Sequence, residues 1–255
     1  MIFDTHAHYD DERFDEDRDL LLKQLHANGI GYILNAAASP ESLDTTLELS
    51  GKYDFVYAAL GIHPHDADKL NEDILEKIRT LSRNKKVVAI GEIGLDYYYD
   101  NSPRDIQKYW FERQIELAKE LALPIIIHDR DAHEDTVNII KKTNAKQVGG
   151  IFHCFAGSAQ MAVEMLKHNL YIAIGGPVTF KNARKTVEVV KAVPLDKLLV
   201  ETDCPYLAPE PFRGKRNHSG YLEYTIRKIA EIKGISENEV ADATLSNAKK
   251  VFKLI

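Results

Sequence analysis

Eight short apolar runs recur along the 255-residue chain, and amphipathic segments separate them. Runs of this length that are apolar at nearly every position are typical of parallel strands buried on both faces. We predict strands at residues 2–6, 31–37, 55–61, 87–91, 124–128, 149–153, 171–175 and 198–202. Helical spacing of apolar residues predicts helices at 17–28, 41–50, 72–82, 104–121, 133–142, 159–168, 183–190, 221–233 and 237–252.

Eight strands that alternate with helices predict an α/β fold of the (β/α)8 TIM-barrel type. The chain has 255 residues, and one such barrel typically needs about 250 residues. No Pro/Gly/Ser-rich linker interrupts the alternation, so we expect a single domain over residues 1–255. The alternative is a doubly wound open sheet, which would need fewer strands and would gather polar groups at a crevice where the strand order reverses.

Composition limits the partners and the cellular location. With 33 basic and 39 acidic side chains the net charge is −6, so no strong overall attraction to nucleic acid or to anionic membranes is expected. No apolar run reaches the roughly 18 residues of a membrane span, and no secretory signal is visible. We therefore predict a cytoplasmic protein in which Cys154 and Cys204 are reduced thiols, with contact to a metal as the alternative for either one.

Acid and imidazole side chains stand at the carboxyl ends of five of the predicted strands. They are His6, His8, Glu92, His128, His153 and Asp203. The chemistry of this barrel type lies at the C-terminal ends of its strands. Six such groups brought to one rim would form a metal-binding cup that is open to solvent, which is a typical hydrolase site.

Each of these residues also has a separate explanation. The H-x-H pair at 6–8 could be two unrelated histidines, and Glu92 could form a salt bridge with an arginine. A histidine at the end of an apolar strand could be a hydrogen-bonded core residue, and Asp203 could cap the next segment. A shared ion explains all six positions together, whereas the separate explanations need six coincidences at one rim.

Nitrogen and carboxylate ligands favour zinc or another divalent ion, with manganese and magnesium as alternatives. Four histidines and two acids exceed the needs of one tetrahedral ion, so we predict two divalent metal cations about 3.5–4 Å apart. Glu92 is the natural bridge because its strand lies between the two groups of ligands. Asp203 could bind one ion and also take the proton from the attacking water.

Six motifs then resemble those of a known family. They are FDTHAHYD (3–10), GIHPHDA (61–67), GEIGLDYYYD (91–100), PIIIHDRDAHED (124–135), HCFAGS (153–158) and LLVETDCPYLAP (198–209). Over essentially its full length the chain resembles the TatD family of metal-dependent hydrolases and deoxyribonucleases, within the amidohydrolase barrel superfamily. The resemblance implies a (β/α)8 barrel, a divalent-metal site, hydrolysis of phosphodiester bonds and, for members of the family, DNA-directed exonuclease activity.

The resemblance also implies ligand roles. Both histidines of the H-x-H pair and Asp203 match the ligands of one ion, His128 and His153 match those of the second, and Glu92 matches the bridge. Other branches of the superfamily bridge with a modified lysine, so a glutamate favours the TatD branch over dihydroorotase-like amide hydrolases. The chain departs from the family at GKRNHSGY (214–221), where the family commonly has Arg-Asn-Glu-Pro. This departure leaves the ligands intact. It affects the shape of the loop beside them, so the resemblance does not predict the substrate preference.

Substrate contacts are predicted on the same rim. His63 is expected to contact a phosphate oxygen or the leaving group, with a role in the turn as the alternative. Arg130 could bind a phosphate through two guanidinium nitrogens, or it could pair with a nearby acid. Arg213, Lys215 and Arg216 form a short basic loop that is the best candidate for contact with a polyanion, or else a solvated face.

Only a local basic patch is available, so a strand end, a short oligonucleotide or a small phosphodiester fits better than a long duplex. The tyrosines at 97–99 could stack on a base or simply pack over the barrel mouth. We predict a phosphodiesterase that acts on DNA ends, 3′-to-5′ or otherwise end-directed, through attack of metal-activated water on phosphorus. The alternatives are a metal-dependent ester, lactone or amide hydrolase, and a metal-loaded partner protein with little catalysis. No obligate protein partner is inferred.

Overall fold

The structure is a computed structural model that describes residues 1–254. Its eight strands form one sheet in which spatial order follows chain order and every hydrogen-bonded pair of neighbours is parallel. They are β1 Ile2–Ala7, β2 Ile30–Ala36, β3 Val56–Leu60, β4 Val87–Asp96, β5 Ile125–Arg130, β6 Gly150–Phe152, β7 Leu170–Ile174 and β8 Leu198–Val200. The predicted barrel is confirmed, and the doubly wound alternative is wrong because the strand order never reverses.

The helices lie between the strands and after the last one. They are α1 Arg18–Ala27, α2 Ser42–Lys52, α3 Glu72–Leu81, α4 Arg104–Leu121, α5 His133–Lys142, α6 Ala159–Leu166, α7 Arg184–Ala192, α8 Leu222–Lys233 and α9 Glu237–Val251. Among residues 1–254, none of the helices combines the length and the apolar character that crossing a membrane requires.

The edge strands β1 and β8 close the barrel at its C-terminal end. The backbone N–H of His8 donates to the carbonyl of Cys204 at 2.8 Å, and that of Asp203 donates to the carbonyl of His6 at 3.0 Å. The buried carboxylate of Asp4 accepts from the backbone N–H of Thr202 at 2.9 Å and from its hydroxyl at 2.6 Å. Closure therefore brings the H-x-H pair directly beside Asp203.

Apolar side chains fill the inside of the barrel, and the C-terminal segment covers one end of it. One cluster takes residues from all eight strands: Phe3, Leu34, Ala36, Ala59, Val88, Ala89, Ile126, Ile151, Ala173 and Leu199. Val251 and Phe252 belong to the same cluster, and the Phe252 ring lies 5.7 Å from that of Phe3. A second, larger cluster packs the outer faces of the strands against the helices. A filled interior leaves the C-terminal rim as the open end.

Strand β4 extends five residues beyond the predicted end at 91, so Glu92 lies within the strand rather than after it. Gly94, Leu95 and Asp96 continue the pairing with β5, and every residue of β4 is buried. At Gly94 φ is +152°, and a Cβ atom there would lie 1.9 Å from the carbonyl oxygen of His128. Glycine is required at this point because β4 and β5 approach closely where each contributes a candidate ligand.

Candidate metal centre

All six predicted ligands converge at the C-terminal rim, and the carboxylate of Glu92 lies between them. Its Oε2 is 3.2 Å from His6 Nε2 and 3.7 Å from His8 Nε2. Its Oε1 is 2.7 Å from His128 Nδ1 and 2.8 Å from His153 Nε2. One buried carboxylate therefore faces two separate groups of imidazoles, one with each oxygen.

Asp203 completes the group around β1. Its Oδ1 lies 3.4 Å from His8 Nε2 and 3.7 Å from His6 Nε2. These three residues offer ligand atoms that all lie within 4.8 Å of one another. His63, Glu92 and His128 form another such set on the opposite side of the cup.

The spacing of the nitrogens fits bound ions. Two atoms that each lie about 2.0–2.1 Å from one zinc ion, at a tetrahedral angle, are roughly 3.3 Å apart. His6 Nε2 and His8 Nε2 are 3.1 Å apart, and His128 Nδ1 and His153 Nε2 are 3.3 Å apart. The donors are imidazole nitrogens and carboxylate oxygens, which suit zinc and other divalent ions. The residues present therefore fit a metal at either side of Glu92.

Charge in the cup favours cations. Burial alone would raise the pKa of Glu92, but the surrounding histidines, His153 and His6 foremost, hold that pKa well below its usual range. Burial likewise opposes ionisation of Asp203, while the hydrogen bond from His8 keeps the pKa of Asp203 below its ordinary value. Both carboxylates are ionised at neutral pH and available to bind metal.

Outer partners orient the histidines. The Nδ1 of His8 lies 2.9 Å from the carbonyl oxygen of Ala36, which leaves Nε2 to face the cup. The Nδ1 of His153 lies 3.5 Å from the buried carboxylate of Glu201 without forming a hydrogen bond to it. A hydrogen bond such as that of His8 fixes which ring nitrogen carries the proton, so the other nitrogen is free to bind a metal.

Asp96, at the end of β4, was not predicted from the sequence, and it supports the candidate ligand His128. Its Oδ2 is 3.1 Å from His128 Nε2 and 2.9 Å from His65 Nε2. Its Oδ1 accepts from the backbone N–H groups of Tyr98 at 3.0 Å and Tyr99 at 2.9 Å. Asp96 is buried, so this fully hydrogen-bonded carboxylate holds the His128 ring with Nδ1 toward the cup. The only sequence signal was its place in the GEIGLD stretch that contains Glu92.

His63 and Arg130 lie on the rim as predicted. His63 Nε2 is 3.5 Å from Glu92 Oε1, while its Nδ1 accepts from the backbone N–H of His65 at 3.1 Å, so it faces the cup and also braces the turn. The guanidinium of Arg130 lies 4.1 Å from the ring centre of Tyr98 and 4.7 Å from that of Tyr99. Arg130 is exposed, and no acidic side chain within residues 1–254 forms an ion pair with it.

The predicted basic loop is not brought to the metal ligands. Arg216 bonds both oxygens of Asp17, at 2.8 and 2.6 Å. Arg213 lies over the ring of Phe180 at 4.5 Å, and Lys215 is exposed. These three side chains line neither of the cavities that open at the ligands, so their predicted contact with substrate stays a prediction.

The segment that departs from the family pattern supports barrel closure. Asn217 Nδ2 donates to the carbonyls of Thr202 at 2.9 Å and Tyr206 at 2.7 Å, which shapes the loop after β8. The hydroxyl of Ser219 donates to Asp4 at 2.7 Å, and its backbone N–H donates to Tyr9 Oη at 2.8 Å. A proline at position 219 could make neither of these bonds.

Two cavities open at the cup. The larger, about 580 Å³, is lined by Glu92 and by polar groups that include Ser39, Ser42 and Tyr99. The smaller, about 380 Å³, lies on the side of β6 and β7. Cys154 lines the smaller cavity, and Cys204 is buried and lines neither.

Comparisons with known proteins all identify the same family. The family of TatD-related DNases matches residues 3–253. An uncharacterized metal-dependent hydrolase, YabD of Bacillus subtilis, is 51% identical over 254 residues that cover 100% of both chains. The 3′-5′ ssDNA/RNA exonuclease TatD of Cronobacter sakazakii is 33% identical, over 98% of this chain and 97% of that protein. The crystal structure of YjjV, a TatD homologue of Escherichia coli, superposes with a TM-score of 0.93 at 32% identity, over 99% of this chain and 98% of that chain.

Proposed function

The chain belongs to the TatD family and is a metal-dependent hydrolase, and from this premise we propose that it hydrolyses phosphodiester bonds at the ends of DNA strands. The observation that carries the proposal is the position of Glu92, whose two oxygens face two separate sets of histidines. A carboxylate shared in this way suits two cations that act on one phosphate.

We infer two divalent ions. His6, His8 and Asp203 would hold the first and His128 and His153 the second, with Glu92 shared between them. When bound, such ions lower the pKa of water and neutralise charge that develops on phosphate oxygens. Zn²⁺, Mn²⁺ and Mg²⁺ remain the candidates.

The protein's own groups then orient the substrate and move the proton. Asp203 lines both cavities and is ionised, so its carboxylate can accept the proton of the attacking water. The buried His63 faces Glu92 and can donate to a phosphate oxygen. Arg130 lines both cavities at the mouth, where it can pair with the phosphate.

A strand end is the substrate that fits the charge. The chain carries a net charge of −6, and the basic residues of the 213–216 loop do not line the cavities, so a long duplex would find few phosphate contacts. The relative named as a single-strand exonuclease, 33% identical over nearly the whole chain, supports the same substrate class.

Initial rates on four substrates test the proposal. Protein stripped of metal by chelation and reloaded with Mn²⁺, Zn²⁺ or Mg²⁺ is assayed on single-stranded oligodeoxynucleotide, bis(p-nitrophenyl) phosphate, p-nitrophenyl acetate and a simple lactone. We expect metal-dependent hydrolysis of both phosphodiesters. Faster turnover of the acetate or the lactone would instead identify a carbon-ester hydrolase. Turnover at the level of buffer, with metal bound stoichiometrically, would favour a partner protein.

Two matched variants connect the rate to the site. Glu92→Gln removes the shared charge and is expected to lower turnover at least a hundredfold, by analogy with the loss of a preorganised electrostatic group. Glu223→Gln makes the same chemical change on the exposed face of α8 and should leave turnover unaltered. Equal rates for the two variants would contradict the role assigned to Glu92.

A further inference from the structure

The two cavities meet at the metal ligands but differ in character. Both are lined by His128, Arg130, His153, Asp203 and Leu207. Beyond these shared residues the smaller cavity is walled mainly by apolar side chains, namely Phe155, Ile174, Pro177 and Phe180. We call this smaller cavity the apolar chamber.

We propose that the apolar chamber binds the terminal nucleoside of the strand, with its base against Phe180, while the scissile phosphate lies at Glu92. This inference rests on the proposed function and adds to it the subsite that selects the substrate. A base buries a flat apolar surface, and an aromatic wall recognises it through stacking that is independent of sequence. Because the chamber is continuous with the cup, a nucleoside in it is directly attached to a phosphate at the ligands.

The size of the chamber limits its occupant. Its volume is about 380 Å³, near the lower end of the range of about 300–1,000 Å³ for small-molecule sites. One nucleoside fits this space, whereas a run of nucleotides does not. Hydrolysis would therefore release mononucleotides one at a time, rather than cut the strand internally.

The wall of the chamber is suited to a base. Phe180 is half-buried, and the guanidinium of Arg213 lies 4.5 Å from its ring centre. A cation over one face steadies the ring and strengthens its packing. In this arrangement Arg213 acts through Phe180. The sequence analysis instead predicts direct contact between Arg213 and a phosphate.

The larger cavity accommodates the rest of the strand. At about 580 Å³ it is more spacious, and it is edged by the exposed rings of Tyr99 and Tyr206. Arg130 lines both cavities and lies over Tyr99, so it stands where the phosphate passes from one to the other. Asp11, on the same edge, is paired with Arg13 at 2.8 Å, which reduces its repulsion of the strand.

The test compares two single-stranded oligonucleotides that differ only at the cleaved end, one with a normal terminal nucleotide and one with a tetrahydrofuran residue that lacks the base. We expect kcat/KM to be about tenfold to a hundredfold higher for the strand with the base, as for loss of one stacked base. Phe180→Ala should remove this preference, so that the two strands are cleaved with equal kcat/KM. Phe180→Leu keeps apolar volume without the aromatic face and should remove most of the preference.

The control is Tyr109→Ala, which removes an exposed aromatic ring on α4 that lines neither cavity. It should keep the full preference. A wild-type protein that cleaves both strands equally, or that releases oligonucleotides rather than mononucleotides, would overturn the assignment of the chamber.

A binding measurement separates this inference from the proposed function. Calorimetry with metal-loaded protein compares thymidine 5′-monophosphate with deoxyribose 5-phosphate, which has no base. We expect the nucleotide to bind at least tenfold more tightly, and Phe180→Ala to remove that difference. If neither oligonucleotide is hydrolysed while bis(p-nitrophenyl) phosphate is, the proposed substrate is wrong. In that case the difference in affinity between the two ligands alone tests the assignment of the chamber, and equal affinities would overturn that assignment.

Discussion

Asp96→Asn is the perturbation that most sharply tests how the site is organised. The wild-type carboxylate accepts two backbone N–H groups with Oδ1 and two histidine Nε2 atoms with Oδ2. An asparagine has one oxygen, and the two backbone donors of Tyr98 and Tyr99 require it on their side. Its NH2 group must then face His65 and His128, where it can only donate.

This substitution changes which nitrogen of His128 carries the proton. Facing an NH2 donor, Nε2 has to accept, so the proton of the neutral ring moves to Nδ1. That atom lies 2.7 Å from Glu92 Oε1 and is the one that faces the cup. Because a protonated nitrogen cannot bind a metal, we expect the variant to lose affinity on the His128 side of Glu92.

Loss of an outer partner of a ligating histidine typically lowers metal affinity or activity about 10–100-fold, which is about 1.4–2.7 kcal/mol at 1.36 kcal/mol per factor of ten. The assay is competition for Zn²⁺ or Mn²⁺ against a chelator of known affinity, with circular dichroism to check the fold.

His65→Ala is the matched control for this prediction. It removes one partner of Asp96 but leaves the bond to His128 intact, so its metal affinity should fall by less than that of Asp96→Asn. A dissociation constant for Asp96→Asn within about twofold of wild type would show that Asp96 does not set the tautomer of His128 for metal binding. Equal losses in both variants would show that the effect runs through His65 instead.

Two further predictions concern the structure around the site. Thr202→Val removes the hydroxyl that donates to the buried Asp4 at 2.6 Å. We expect the free energy of unfolding, measured in urea, to fall by about 1.5–3 kcal/mol. A loss under about 0.5 kcal/mol would contradict the role of Asp4 in closing the barrel. The hydrogen bond to Asp129 raises the pKa of His133 above 6.5, so the stabilisation from this pair is complete below pH 6.5 and is lost as the pH rises through the raised pKa. An NMR titration should show the raised pKa and its return toward 6.5 in Asp129→Asn, and an unchanged pKa in that variant would show that the bond is not its cause.

The local sequence was sufficient to predict the candidate site residues that lie at the ends of strands. The apolar runs predicted eight strands, and His6, His128 and His153 stand at the rim because the carboxyl ends of parallel strands meet there. The position of Glu92 within β4 was not predictable, since the strand continues beyond 91 only by pairing with β5.

Features that depend on tertiary contacts could not be predicted from the local sequence pattern. Asp96 gains its role from two histidines that are 31 and 32 residues away in the chain. Arg216 appeared free in sequence, yet it pairs with Asp17, which is 199 residues away. The apolar chamber is assembled from loops after several strands, and no single segment carries a signal for it.

Anomalous diffraction from crystals soaked in Mn²⁺ shows whether Glu92 is shared between two cations. We predict two peaks about 3.5–4 Å apart, one beside His6, His8 and Asp203 and the other beside His128 and His153, each in contact with a different oxygen of Glu92. A single peak, or peaks that leave either Glu92 oxygen without an ion, would show that Glu92 is not shared between two cations.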